Sequence, residues 1–176
     1  MDETERKKMH IASRQLDSAI GFLFAGGDII GVHTLAAAAA KIFSEVEPQA
    51  SDAQTQADHP GAATYREVAN AVRNLPSTAN PDPDLTRAFT TADTAALLAG
   101  TILTFDERGG PITIAQSLFH MWYLACHFDA LDQSFRHREM IRAEFGNLGR
   151  RTWPYQIAAG RVALEKAYAA GAARAG

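Results

Sequence analysis

The chain has a single cysteine, Cys126, in 176 residues, so no disulfide can form within it. A lone thiol fits a reducing compartment, and a cytoplasmic protein is expected. A membrane-length apolar run is missing too. The longest candidate, Ile112 to Phe128, is interrupted by Gln116, Ser117, His120 and His127, which leaves it too short and too polar to cross a bilayer. The segment Met1 to Lys8 is charged and offers no apolar stretch of the kind a secretory signal needs. Runs of Val, Ile, Thr and aromatics are scarce, which argues against a sheet.

What is present favours helix. Apolar residues make up 47% and charged residues 21%, an ordinary globular balance. Alanine recurs in blocks, at Ala36 to Ala40, Ala95-Ala96, Ala158-Ala159 and Ala169-Ala170. It loses no side-chain entropy in a helix and is the best helix former. The expected fold is all-α: a compact bundle of five to seven helices in a single domain over residues 1–176, opening with an antiparallel helical hairpin.

That hairpin is legible in detail. Met9, Ala12, Leu16, Ala19, Ile20 and Leu23 recur at helical spacing from about Thr4 to Ala25. Gly26-Gly27 stops the helix and Asp28 is placed to cap the next, which runs to about Val46 before Pro48. Residues 47–61 and 76–89 are polar, proline-bearing and non-periodic, and are expected as exposed loops around a short helix, Ala62 to Leu75, with Tyr65, Val68 and Val72 on one side. Thr90 with Asp93 approximates a capping box for a fourth helix to about Asp106. Gly109-Gly110 should break it, and Pro111 is positioned to open a fifth that continues to Phe128. This fifth helix is apolar nearly all round, as expected of a core or interface helix. Asp129 to Phe145 reads as amphipathic and arginine-rich, Pro154 to Ala170 as a last helix, and 171–176 as a frayed tail.

The candidate sites are incomplete. Asp28 and His33 form a minimal carboxylate–imidazole unit, with His120 as an alternative partner, but no nucleophile accompanies them. The simpler reading of His33 is a packed histidine with satisfied ring nitrogens. His120, Cys126 and His127 carry zinc-type ligand atoms. The two histidines are two turns apart, about 10.5 Å along a helix, which disfavours one shared ion. Arg142, Arg150, Arg151 and Trp153 could bind phosphates and stack bases. In the competing reading Trp153 and Tyr155 anchor the last helix while the arginines face water. The glycine pairs lack the lysine of a phosphate loop and are turns. No cofactor is expected.

Net charge is −3, unevenly spread. Residues 44–93 hold eight acids against three arginines, and residues 136–174 hold eight basic residues against three glutamates. A basic C-terminal face is possible on this pattern. The preferred reading is that the two halves compensate each other.

One resemblance stands out. Ser13-Arg14-Gln15-Leu16-Asp17-Ser18-Ala19-Ile20, followed by Phe24, by Gly27-Asp28 and by Val32-His33-Thr34-Leu35-Ala36-Ala37-Ala38-Ala39, resembles a group of uncharacterised bacterial proteins with an A-R-R-Q-L-x-x-A-I helix and an H-T-L-A-x-A-A helix. A weaker likeness continues through residues 65–128 to Phe119-His120-Met121-Trp122-Tyr123. The group carries no activity over to this chain. A looser likeness is to HEPN domains, helical bundles whose ribonucleases use an arginine separated from a histidine by four to six residues. Here Arg6 and His10 are separated by three residues, and Arg136 and His137 are adjacent. The likeness therefore implies a non-catalytic binding or antitoxin-like member. Three functions follow as expectations: a non-enzymatic interaction protein acting as a homodimer or in a complex, a nucleotide or RNA binder, and an enzyme built on His33 with Asp28 or His120.

Overall fold

Asp2 opens helix α1 (Glu3–Phe24) with a reciprocal cap. Its carboxylate accepts from the Glu5 N–H at 2.7 Å, and the Glu5 carboxylate accepts from the Asp2 N–H at 2.8 Å. A computed structural model describes residues 2–46, 62–73 and 90–175, with α3 side chains described from 67 to 72. The two expected loops, Pro48 and the side chain of Tyr65 lie outside the described residues. The six-residue apolar stripe of α1 is buried throughout, as its spacing predicts.

Gly26 adopts φ +76° at the end of α1, and Asp28 caps α2 (Ile29–Ser44) by accepting from the Ile30 N–H at 3.3 Å. Lys8 near the start of α1 pairs with Glu45 just past the end of α2 at 3.2 Å, so the two helices run antiparallel. The expected hairpin is present. Helix α3 (Ala62–Arg73) contributes Val68, Ala69 and Val72 to the core. Helix α4 (Thr91–Glu107) begins at the predicted Thr90–Asp93 box, with both reciprocal bonds formed.

Helix α5 (Ile114–Cys126) starts later than Pro111 suggests. Thr113 is the cap, and its hydroxyl accepts from the Gln116 N–H at 3.2 Å. A cap that satisfies a free N–H outweighs the mild preference of proline for the first turn. Helix α5 is the axle of the bundle, touching α1, α3, α4, α6 and α7. Phe119 and Trp122 on α5 form an aromatic cluster with Phe24, at centroid distances of 5.2–6.1 Å, and all three rings are buried. Each such pair adds about 1 kcal/mol beyond area burial.

Asp129 to Phe145 is not one helix. A 3-10 turn at Phe128–Ala130 leads into turns, where the Asp132 carboxylate accepts from the Ser134 N–H at 2.7 Å, and only then does α6 (Arg138–Phe145) begin. The aspartate side chain competes with helix by bonding the backbone two residues on. Helix α7 (Trp153–Ala175) begins at Trp153 and runs through Gly171 to Ala175, beyond the end expected at Ala170. It crosses α1 closely at Gly160, where an added Cβ would lie 2.2 Å from the Phe24 ring. The protein is thus an all-α bundle of seven helices, without strands among the described residues. None of these helices is long and apolar enough to cross a membrane.

Candidate functional site

Helix α2 buries His33 against α4, where Nδ1 lies 3.2 Å from the Thr94 hydroxyl. That hydroxyl donates in turn to the Thr90 carbonyl at 3.3 Å. Burial pushes the His33 pKa down, with the Asp93 carboxylate opposing the shift. Asp28 is exposed, and its hydrogen bond goes to Ile30 at the helix cap rather than to His33. His120 is fully buried on α5, with Nε2 3.1 Å from the Ala99 carbonyl. A carbonyl only accepts, so Nε2 carries the proton. Both histidines therefore lean on α4, but at Thr94 and Ala99, roughly 7.5 Å apart along its axis. The three candidate catalytic groups are each committed to a different partner.

The zinc-type trio is similarly dispersed in role. Burial pushes the Cys126 thiol up to about 12, which keeps it neutral and a poor ligand. His127 ends α5, its ring 4.5 Å from that of Tyr123, and burial lowers its pKa. Among the described residues no group of three or more His, Cys, Asp or Glu side chains could hold a metal ion.

The arginines divide. Arg142 and Arg150 come to one neighbourhood: the Arg142 guanidinium lies 5.4 Å from the Phe128 ring centroid, and Arg150 pairs with Asp129 at 3.1 Å. Arg138, which the sequence did not single out, joins them at 4.3 Å from the same ring. Each guanidinium also faces a carboxylate. Arg142 is 3.3 Å from Glu139, and hydrogen bonds from Arg150 to Asp129 and from Ser134 to Asp132 hold these carboxylates below the usual range, with the charge of Arg138 adding a smaller share. Arg151 lies instead over Tyr155, at 5.3 Å. Trp153 turns inward, edge-on to Trp122 at 5.8 Å, as the anchoring reading predicts, whereas Tyr155, the other expected anchor, is exposed.

Two features escape the sequence. The first is a cleft of about 560 Å³ between α3 and the turns before α6, lined by Glu67, Asn70, Asp132, Ser134, Phe135 and Arg136 among others. At its edge the Glu67 carboxylate lies 2.6 Å from His137 Nε2 and 3.6 Å from Arg136. This contact joins the acidic and basic halves, so the charge asymmetry is its one sequence-level sign.

The second feature is the outward face of α7. The inner face packs through Trp153, Ile157, Gly160 and Leu164. Directly opposite, at helical spacing, stand Tyr155, Ala158, Val162, Ala169, Ala172 and Ala173. Tyr155 is 54% and Val162 60% exposed. Lys166 stands among them on this face and pairs with Glu144 at 2.9 Å, while Arg161 and Glu165 lie on one flank. No family model, curated protein or solved structure matches the chain.

Proposed function

We propose that this chain is a non-enzymatic helical interaction protein of the cytoplasm that acts as a homodimer. One observation carries this reading: opposite its core face α7 presents exposed Tyr155 and Val162 in line with alanines, and only its core face has a partner among the described residues. Surface helices of globular proteins place charge opposite their core face, and helices apolar all round are buried. An outward line of Tyr155, Val162 and alanines therefore calls for a second contact.

The absence of convergence at the histidines adds support. An acid–base site needs its groups within hydrogen-bond reach of one substrate, whereas Asp28, His33 and His120 are bound to Ile30, Thr94 and Ala99. A nucleotide or RNA reading draws on Arg138, Arg142 and Arg150, yet their carboxylate neighbours leave little uncompensated positive charge.

Light scattering coupled to size-exclusion chromatography tests the proposal. A particle of twice the 19.0 kDa protomer mass is expected at tens of micromolar and above. A particle of protomer mass over that range would reject it.

A further inference from the structure

We infer that α7 pairs antiparallel with α7 of a second copy, about a two-fold axis at Val162. This rests on the homodimer reading and adds its surface and register.

Tyr155, Val162 and Ala169 are spaced by seven residues and share one line along the helix. In an antiparallel pair centred on Val162, that residue meets itself. Tyr155 then comes opposite Ala169 of the second copy, a large side chain against a small one, and the reciprocal contact repeats it. The alanines on either side allow the two backbones to approach.

The charges select the same register. Four of the eight basic side chains in residues 136–174 have an acid beside them: Arg136 with Glu67, Arg142 with Glu139, Arg150 with Asp129, and Lys166 with Glu144. Arg161 and Glu165 are exposed on the same flank of α7 and form no ion pair with a described residue. They are four residues apart, but with arginine on the N-terminal side, the weaker order for pairing within one helix. Across the proposed two-fold, Arg161 meets Glu165 of the second copy, and Glu165 meets the other Arg161. The mismatch along the axis is about 3 Å, within reach of both long side chains. These two charges of α7, without an ion pair to a described residue of one protomer, are thus complementary to themselves in two.

Such an interface is small, and a dissociation constant on the order of micromolar is expected. The test is a set of variants at exposed positions, each checked for unchanged helical circular dichroism. Val162→Arg should run at protomer mass. Arg161→Glu should weaken association by about tenfold or more, since it sets two glutamate pairs face to face. Adding Glu165→Arg to it should restore association to within a few-fold. Val162→Cys should form an intermolecular disulfide on mild oxidation, whereas Tyr155→Cys should not, because Tyr155 does not meet itself. If the wild type is a dimer but Val162→Arg stays one, or if the double variant fares no better than Arg161→Glu, this surface is wrong while the dimer reading stands. A monomeric wild type overturns both.

Discussion

Helix α5 is apolar almost all round and α7 carries apolar residues on its inner and its outer face, but their surroundings differ. Around α5 stand five other helices, and Phe119, Trp122 and Leu124 are fully buried within the protomer. Helix α7 lies on the bundle's edge and spends only its inner face there. Composition alone assigned both possible roles, core and interface, to α5. The comparison shows that an apolar helix marks an interface only where it has fewer neighbours than apolar faces.

The contrast should be plainest in stability. Trp122→Ala empties the centre of the aromatic cluster and should cost about 3–5 kcal/mol in urea unfolding. Val162→Ala, measured at concentrations where the protomer is alone, should fall within about 0.5 kcal/mol of wild type. Comparable losses at the two positions would mean that α7 is as enclosed as α5. At the seam between them, Gly160→Val forces a side chain into the Phe24 ring and should cost about 1–3 kcal/mol by thermal or chemical denaturation. No loss there would mean that α7 stands off from α1 by more than the geometry gives.

Thr113→Ala removes the cap of α5 and a hydroxyl that donates to Asp17 at 2.7 Å, and should cost about 1–2 kcal/mol. The effect of Cys126 is confined to alkaline pH. Its thiol is raised from 9.0 to about 12 in the folded state, so the unfolded chain loses this proton first. The contribution of this group is therefore full below pH 9 and declines as pH rises from 9 toward 12. Wild type should lose stability between pH 8 and pH 10.5 relative to Cys126→Ala, and native Cys126 should be alkylated far more slowly than free cysteine at pH 8. Parallel pH profiles for the two proteins would remove the argument.

Much of the fold is written locally. Buried positions along α1, the Gly26–Asp28 turn and the Thr90–Asp93 box follow from spacing and capping chemistry within a few residues. The start of α5 was equally local, since Thr113 and Gln116 have capping-box spacing, but Pro111 drew the boundary three residues early. Gly171 suggested an end to α7 that the helix does not observe. The candidate sites fared differently because they depend on contacts between distant residues. Glu67 and His137 are seventy positions apart, and no periodicity connects them. Asp28 and His33 are close in sequence, yet the helix turns one toward solvent and the other into the α4 contact.

The first turn of α7 is held more firmly than the rest. Trp122 Nε1 donates to the Gln156 carbonyl at 2.7 Å, while the Gln156 side-chain amide donates to the carbonyls of Leu148 and Arg151. Beyond Leu164, only Ala167 and Gly171 among residues 165–173 are not exposed. Amide exchange along this one helix should therefore be graded, slow near Gln156 and progressively faster toward Ala173. Raising protein concentration should slow the fast end and leave the slow end unchanged, so a single helix would report both how the protomer is closed and how far it is shared.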